Sequence, residues 1–148
     1  MKPEVRLFLD ANVLFLAGYS TTSPIHQLLA LADAGLCDLV ASGYAVEEAR
    51  RNLVAKGPAT GPDALGAALR GIMLVDEARG AVLEAAAAVG LGDAADVPIL
   101  AAAIQCDADV LVTGDRRAFG RFFRTRVSGV EVLVLRDALR RVVGLPLE

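Results

Sequence analysis

Four acidic residues fall where a parallel α/β sheet would gather them at one edge: Asp10, Glu48, Asp96 and Asp115. Asp10 ends the apolar run Val5–Leu9, and Asp115 follows the β-rich run Val110–Thr113. Asp96 opens the alanine-rich stretch Val97–Cys106, and Glu48 lies in a helical stretch after the apolar run Leu39–Ala41. In such a sheet the strand exits and the starts of the crossover helices share the carboxyl edge. Asp10, Asp96 and Asp115 are expected to converge there, with Glu48 reaching in from about one turn down its helix. Four carboxylates in one pocket repel, and without compensation some keep their protons. A hard divalent cation is the usual compensation, and oxygen donors without histidine or cysteine point to magnesium or manganese rather than zinc.

Directly after Asp115 come five arginines within eleven residues: Arg116, Arg117, Arg121, Arg124 and Arg126. No acid interrupts them before Glu131. An isolated cluster of this kind is ordinarily a solvated face. Beside a carboxylate pocket, the planar forks of arginine suit phosphate oxygens, and Arg116, Arg117 and Arg121 are the candidates for an RNA-binding groove.

The remaining composition narrows the chemistry further. His26 is the only histidine, which removes most triads, zinc sites and histidine-based acid–base schemes. Cys37 and Cys106 lie far apart beside apolar residues and are expected to be reduced thiols. The chain has 148 residues, 55% hydrophobic and 22% charged, with a net charge of −3, which suits one globular domain and excludes extended disorder. The most apolar segment, Val5–Ala17, is interrupted by Arg6, Asp10 and Asn12, falls short of the ~20 residues of a membrane span, and lacks the flanks of a signal peptide. A cytoplasmic location with no membrane contact is the expectation.

The elements that must position these residues alternate strand and helix. Strands are expected at Val5–Leu9, Leu39–Ala41, Ile72–Val75, Val110–Thr113 and Val130–Leu135. Helices are expected at Val13–Gly18, from Ser23-Pro24 to about Ala34, and at Gly43–Ala55, Asp63–Arg70, Asp76–Val89, Val97–Cys106, Arg117–Phe123 and Asp137–Val143. Residues 57–62, with two Gly-Pro steps, are read as a loop. The prediction is one α/β domain over 1–148, with a mostly parallel sheet of four to five strands flanked by helices.

The exit Leu9-Asp10-Ala11-Asn12, the helix Glu48–Leu53, the stretch Asp96–Ala103 and the run Val112-Thr113-Gly114-Asp115 together resemble a PIN domain, in the right order along essentially the whole chain. The likeness is to the VapC-like toxin ribonucleases or closely related small prokaryotic PIN proteins. It implies a magnesium- or manganese-dependent endoribonuclease, with Asp10, Glu48, Asp96 and Asp115 matching the family's acidic quartet and Asn12 and Thr113 matching polar positions that support it. It also implies an RNA substrate and a cognate antitoxin, and leaves open whether two chains pair. Asp10 is expected to be the central ligand, Glu48 and Asp96 to hold the metal or its waters, and Asp115 to complete the cage or orient the attacking water. Asn12 is open to a second reading as a helix cap, Thr113 as a β-former, and Asp93 is read as a turn or cap residue. Asp10→Asn is expected to abolish cleavage while leaving the fold intact or more stable without metal.

Rival enzymes fit less well. A phosphatase of the haloacid dehalogenase type needs a second aspartate where Asn12 stands, and a receiver domain needs a late lysine, whereas the only lysines are Lys2 and Lys56. The alternative that remains is a catalytically silent PIN fold that binds RNA or another protein.

Overall fold

Val5–Leu9 forms the central strand β1, and its apolar sequence follows from its place: a parallel strand with neighbours on both sides is covered on both faces. The computed structural model describes residues 4–148, so Lys2 lies outside the described residues. After β1 come helices α1 (Ala11–Tyr19) and α2 (Ile25–Asp33), strand β2 (Cys37–Ser42), helices α3 (Gly43–Lys56) and α4 (Gly61–Ala68), and strand β3 (Met73–Val75). Helices α5 (Gly80–Ala87) and α6 (Val97–Gln105) lead to β4 (Val110–Val112) and the one-turn helix α7 (Arg116–Phe119). A hairpin of β5 (Arg126–Val127) and β6 (Val130–Leu133) and the helix α8 (Leu135–Val143) complete the chain.

The six strands lie in the order β3-β2-β1-β4-β6-β5, parallel except for the β5–β6 pair. From β1 the chain winds outward through β2 to β3, then returns across the sheet to β4 on the other side of β1. That reversal makes the β1/β4 boundary a topological switch point, where the loops at the carboxyl ends diverge and open a crevice. Leu7, Phe8, Leu9 and Leu111 are fully buried beside it. Helices α1, α3 and α4 pack on one another, while α5 packs on α6. Among the described residues no helix is long and apolar enough to cross a membrane.

The architecture agrees with the α/β expectation, with several local corrections. The sheet has six strands, because β5 closes a hairpin through Ser128 (φ 51°) and Gly129 (φ 86°), a two-residue turn with both positions left-handed. The expected loop 57–62 ends early: α4 begins at Gly61, and Pro62 is accommodated in its first turn. Gly61 also packs tightly, since a Cβ on Gly18 of α1 would lie 2.5 Å from its carbonyl oxygen. The helix expected over Asp76–Val89 is confined to Gly80–Ala87, because residues 76–79 run on from β3 and Glu77 bonds elsewhere. Helix α1 starts at Ala11, two residues before the expected Val13.

Cys37 and Cys106 are free thiols, and burial pushes the Cys37 thiol up to about 11, with the Asp38 charge adding to the effect. Two buried acids are paired. Glu131 of β6 accepts two hydrogen bonds from Arg141 (2.7 and 3.0 Å), and Asp137 of α8 accepts two from Arg124 (3.0 and 3.3 Å).

Candidate active site

Asp10 leaves the carboxyl end of β1 beside β4, with only 2% of its surface exposed. Its backbone is extended, and its side chain caps α1 by accepting the Ala11 N–H at Oδ1 (2.6 Å). Its Oδ2 accepts the Thr113 hydroxyl (2.8 Å) and the Asn12 side-chain amide (3.1 Å). Thr113 is fully buried at the exit of β4 and also accepts the Asp115 N–H at 3.1 Å. Asn12 accepts the Gly114 N–H at 2.8 Å. The exits of β1 and β4 are thus tied together by side chains about a hundred residues apart in sequence. Asn12 sits inside α1 rather than capping it, and Thr113 is bonded into the same network.

Asp115 caps α7, its Oδ1 accepting the Arg117 and Ala118 N–H groups, both at 3.1 Å. Asp93 caps the turn Ala94–Asp96 by accepting the Ala95 N–H at 2.9 Å, as a cap residue should. Asp96 stands at the start of α6 but makes no capping hydrogen bond. Asp93, Asp96, Asp115 and Arg117 line a cleft of about 410 Å3. Glu48 is half-buried on α3, whereas Glu47 is exposed and paired with Arg50 at 3.3 Å.

The charges of these acids act on one another. Burial pushes the Asp96 carboxyl up to about 6, with the charges of Asp115, Asp10, Asp93 and Glu48 adding to it. Burial also raises Asp10, as does the Glu48 charge, and the hydrogen bonds from Thr113, Ala11 and Asn12 only partly oppose that rise. Five acids from four separate chain segments therefore share one electrostatic neighbourhood at the switch point.

Among the described residues no three acids, histidines or cysteines stand close enough to form a ready-made metal shell. The donor set nevertheless suits a hard cation that keeps its water. All the donors are oxygen, burial together with the neighbouring negative charges pushes Asp96 up to about 6, and magnesium normally touches only one or two carboxylates directly.

Two residues outside the sequence-based set border this site. Tyr44, one turn before Glu48 on α3, donates its hydroxyl to the Ala95 carbonyl at 2.8 Å. Glu77 accepts the Tyr44 N–H at 2.9 Å. The spacing of Tyr44 and Glu48, four residues apart in one helix, was the available signal. The arginines divide by employment. Arg117 lines the cleft and Arg116 lies over the Phe123 ring, whereas Arg121 donates to the Gly90 carbonyl at 2.6 Å and stacks on Phe122, and Arg124 is paired with Asp137.

An acid-lined cleft at the switch point of a parallel sheet, with a guanidinium in its wall, stands where open α/β folds place their ligand sites. Residues 6–117 match the sequence profile of the PIN domain. The chain belongs to the PIN-domain family, whose members are generally nucleases and usually use divalent metals. Its fold is similar to that in the crystal structure of FitAcB from Neisseria gonorrhoeae, with a TM-score of 0.57 and 19% sequence identity over 88% of this chain and 98% of that one. No curated protein matches the sequence.

Proposed function

We propose that this chain is a magnesium- or manganese-dependent endoribonuclease that hydrolyses RNA phosphodiester bonds, and that it is the toxin of a type II toxin–antitoxin pair. The observation that carries the nuclease reading is the gathering of acids from separate chain segments at the β1–β4 switch point, with Asp10 buried at the strand exit, Asp96 and Asp115 lining one cleft, and the charges of Asp10 and Glu48 acting on Asp96. Such crowding is costly in a resting protein and is relieved by a cation. The toxin role extends the family resemblance of a small PIN chain.

Asp10 is the central ligand, oriented by Asn12 and Thr113, and Glu48 and Asp96 hold the metal or its waters. Asp115 has Oδ1 occupied by two backbone N–H groups, and its other oxygen serves to orient the attacking water. When bound, the cation lowers the pKa of that water and stabilises the attacking and leaving oxygens. The water oxygen bonds to phosphorus as the bond to the leaving nucleotide oxygen breaks, and that oxygen gains a proton. Arg117, in the cleft wall, and Arg116 beside it are the candidates for contacting the phosphate backbone, which a guanidinium fork matches well.

The test is RNA cleavage by the purified chain with Mg2+, with Mn2+ and with EDTA. Metal-dependent cleavage that Asp10→Asn abolishes is the expected result. Cleavage that persists in EDTA would refute the metal-dependent mechanism, and RNA binding without cleavage would favour the silent binding module. For the toxin role, expression should arrest growth, and co-expression of a small DNA-binding protein from the neighbouring gene should restore it.

A further inference from the structure

Glu48 and Asp96 arrive at the site on helices whose main packing partners differ. Glu48 is carried by α3, which packs chiefly on α1 and α4, and Asp96 by the start of α6, which packs chiefly on α5, while α3 and α6 touch each other over a smaller contact. The β1–β4 ladder fixes Asp10 against Thr113, but no strand pairing sets the separation of α3 from α6. Tyr44 supplies a direct tie. Its hydroxyl donates to the carbonyl of Ala95, the residue before Asp96, at 2.8 Å. Its backbone N–H donates to Glu77 Oε2 at 2.9 Å, and the Glu77 carbonyl accepts from Gln105 Nε2 of α6 at 3.3 Å. Tyr44 and Glu48 share a face of α3, so the residue that grips the Asp96 turn stands one turn from Glu48. The phenol also lies within the field of both acids, since burial and then the Glu48 and Asp96 charges hold its proton more tightly than usual.

We infer that Tyr44 is a positioning residue: its hydroxyl, clamped on Ala95, sets the separation of Glu48 and Asp96 and through it the affinity of the site for a divalent cation. This role rests on the metal-dependent reading above. Tyr44→Phe keeps the ring and its packing but frees the Ala95 carbonyl to bond with water, so the fold persists while the Asp96 turn gains freedom. Groups that orient metal ligands from the outer shell typically change metal affinity by about 10- to 100-fold when removed. The Tyr44–Ala95 bond is exposed, which places the expected loss at the lower end, about tenfold.

The experiment is a calorimetric Mn2+ titration of the wild type, Tyr44→Phe, Asp10→Asn and Glu47→Gln, paired with RNA cleavage across a range of Mn2+ concentrations. Tyr44→Phe should bind Mn2+ about tenfold more weakly and need correspondingly more Mn2+ for half-maximal cleavage, with a near wild-type rate at saturation. Asp10→Asn should lose binding, which locates the titrated ion at this site, and Glu47→Gln should match the wild type. Wild-type Mn2+ affinity in Tyr44→Phe overturns the role of Tyr44 and leaves the nuclease reading standing. A saturated rate that falls with an unchanged Mn2+ midpoint also overturns it, because Tyr44 would then act on the RNA. Failure of the wild type to bind Mn2+ overturns the metal-dependent reading and this inference with it.

Discussion

Asp96→Asn isolates charge repulsion at the site from packing. The Asp96 carboxylate makes no capping hydrogen bond, so the amide that replaces it breaks no contact that holds the turn. Burial, followed by the charges of Asp115, Asp10, Asp93 and Glu48, moves this carboxyl from 3.8 to about 6. A difference of that size is equivalent to about 3 kcal/mol at full weight. Asp96 is only half-buried, and solvent screening reduces the contribution to about 1 kcal/mol. The sign follows from proton linkage. Between the unfolded value and the raised folded value, the folded chain binds more protons than the unfolded one, so stability falls as pH rises through that window. The penalty is complete above about pH 6 and absent below about pH 4. Urea unfolding in EDTA should therefore find Asp96→Asn more stable than wild type by about 1 kcal/mol near neutral pH, and equal to it near pH 4. Added Mn2+ should stabilise the wild type by about 2.7 kcal/mol at a hundred times its Kd, and the variant by less. A stability difference that does not change with pH would show that packing, not charge, is responsible. A less stable variant near neutral pH would refute the repulsion argument.

Asp10→Asn should abolish cleavage and also cost about 1–3 kcal/mol in urea unfolding, because donors meet both Asp10 oxygens and an amide accepts at only one. The expectation from sequence is the opposite, an intact or more stable fold without metal, and the sign of the change measured by urea unfolding in EDTA decides between the two. Glu48→Gln should severely reduce steady-state cleavage, whereas Glu47→Gln should be nearly silent, since its exposed pair with Arg50 is worth only tenths of a kcal/mol; the reverse ranking would refute the assignment of Glu48. Arg117→Ala should weaken RNA binding and lower its logarithmic salt slope by about one. Arg121→Ala should instead leave the slope unchanged and lower Tm, because Arg121 is bound to Val89 and Gly90 carbonyls and stacked on Phe122.

The parts of the fold that were legible in the sequence are those set by local patterning. The buried parallel strands read as unbroken apolar runs, and Gly35 (φ 81°) ends α2 where the sequence suggests, with the Leu36 N–H bonded back to the Leu31 carbonyl at 3.0 Å. Elements whose limits depend on tertiary partners were not legible. Residues 76–79 carry helix-forming types, but Glu77 is spent on the N-terminus of α3 and on Gln105. The strand β5 is two residues long, and its only local signal was the Ser128-Gly129 turn. The arginine run looked uniform because its partners, Val89, Gly90 and Asp137, lie well outside it in sequence.

The same limit applies within the site, where sequence places the acids together but does not reveal how differently they are held. Asp10 is buried against three donors fixed by the β1–β4 junction, so its carboxylate is held by the protein itself. Asp96 makes no capping hydrogen bond, and burial and then the charges of other acids oppose its ionised form. One chemical change, Asp to Asn, should therefore have opposite effects at the two positions in the metal-free protein: loss of stability at Asp10, where the amide cannot accept all three donors, and gain at Asp96, where burial and then repulsion oppose the charge and no hydrogen bond is lost. A measurement of the pair distinguishes this arrangement from a uniform ring of carboxylates, in which both changes would relieve repulsion and both would stabilise. An opposite pair of signs identifies Asp10 as the fixed anchor of the site and Asp96 as the acid whose ionisation depends on a cation.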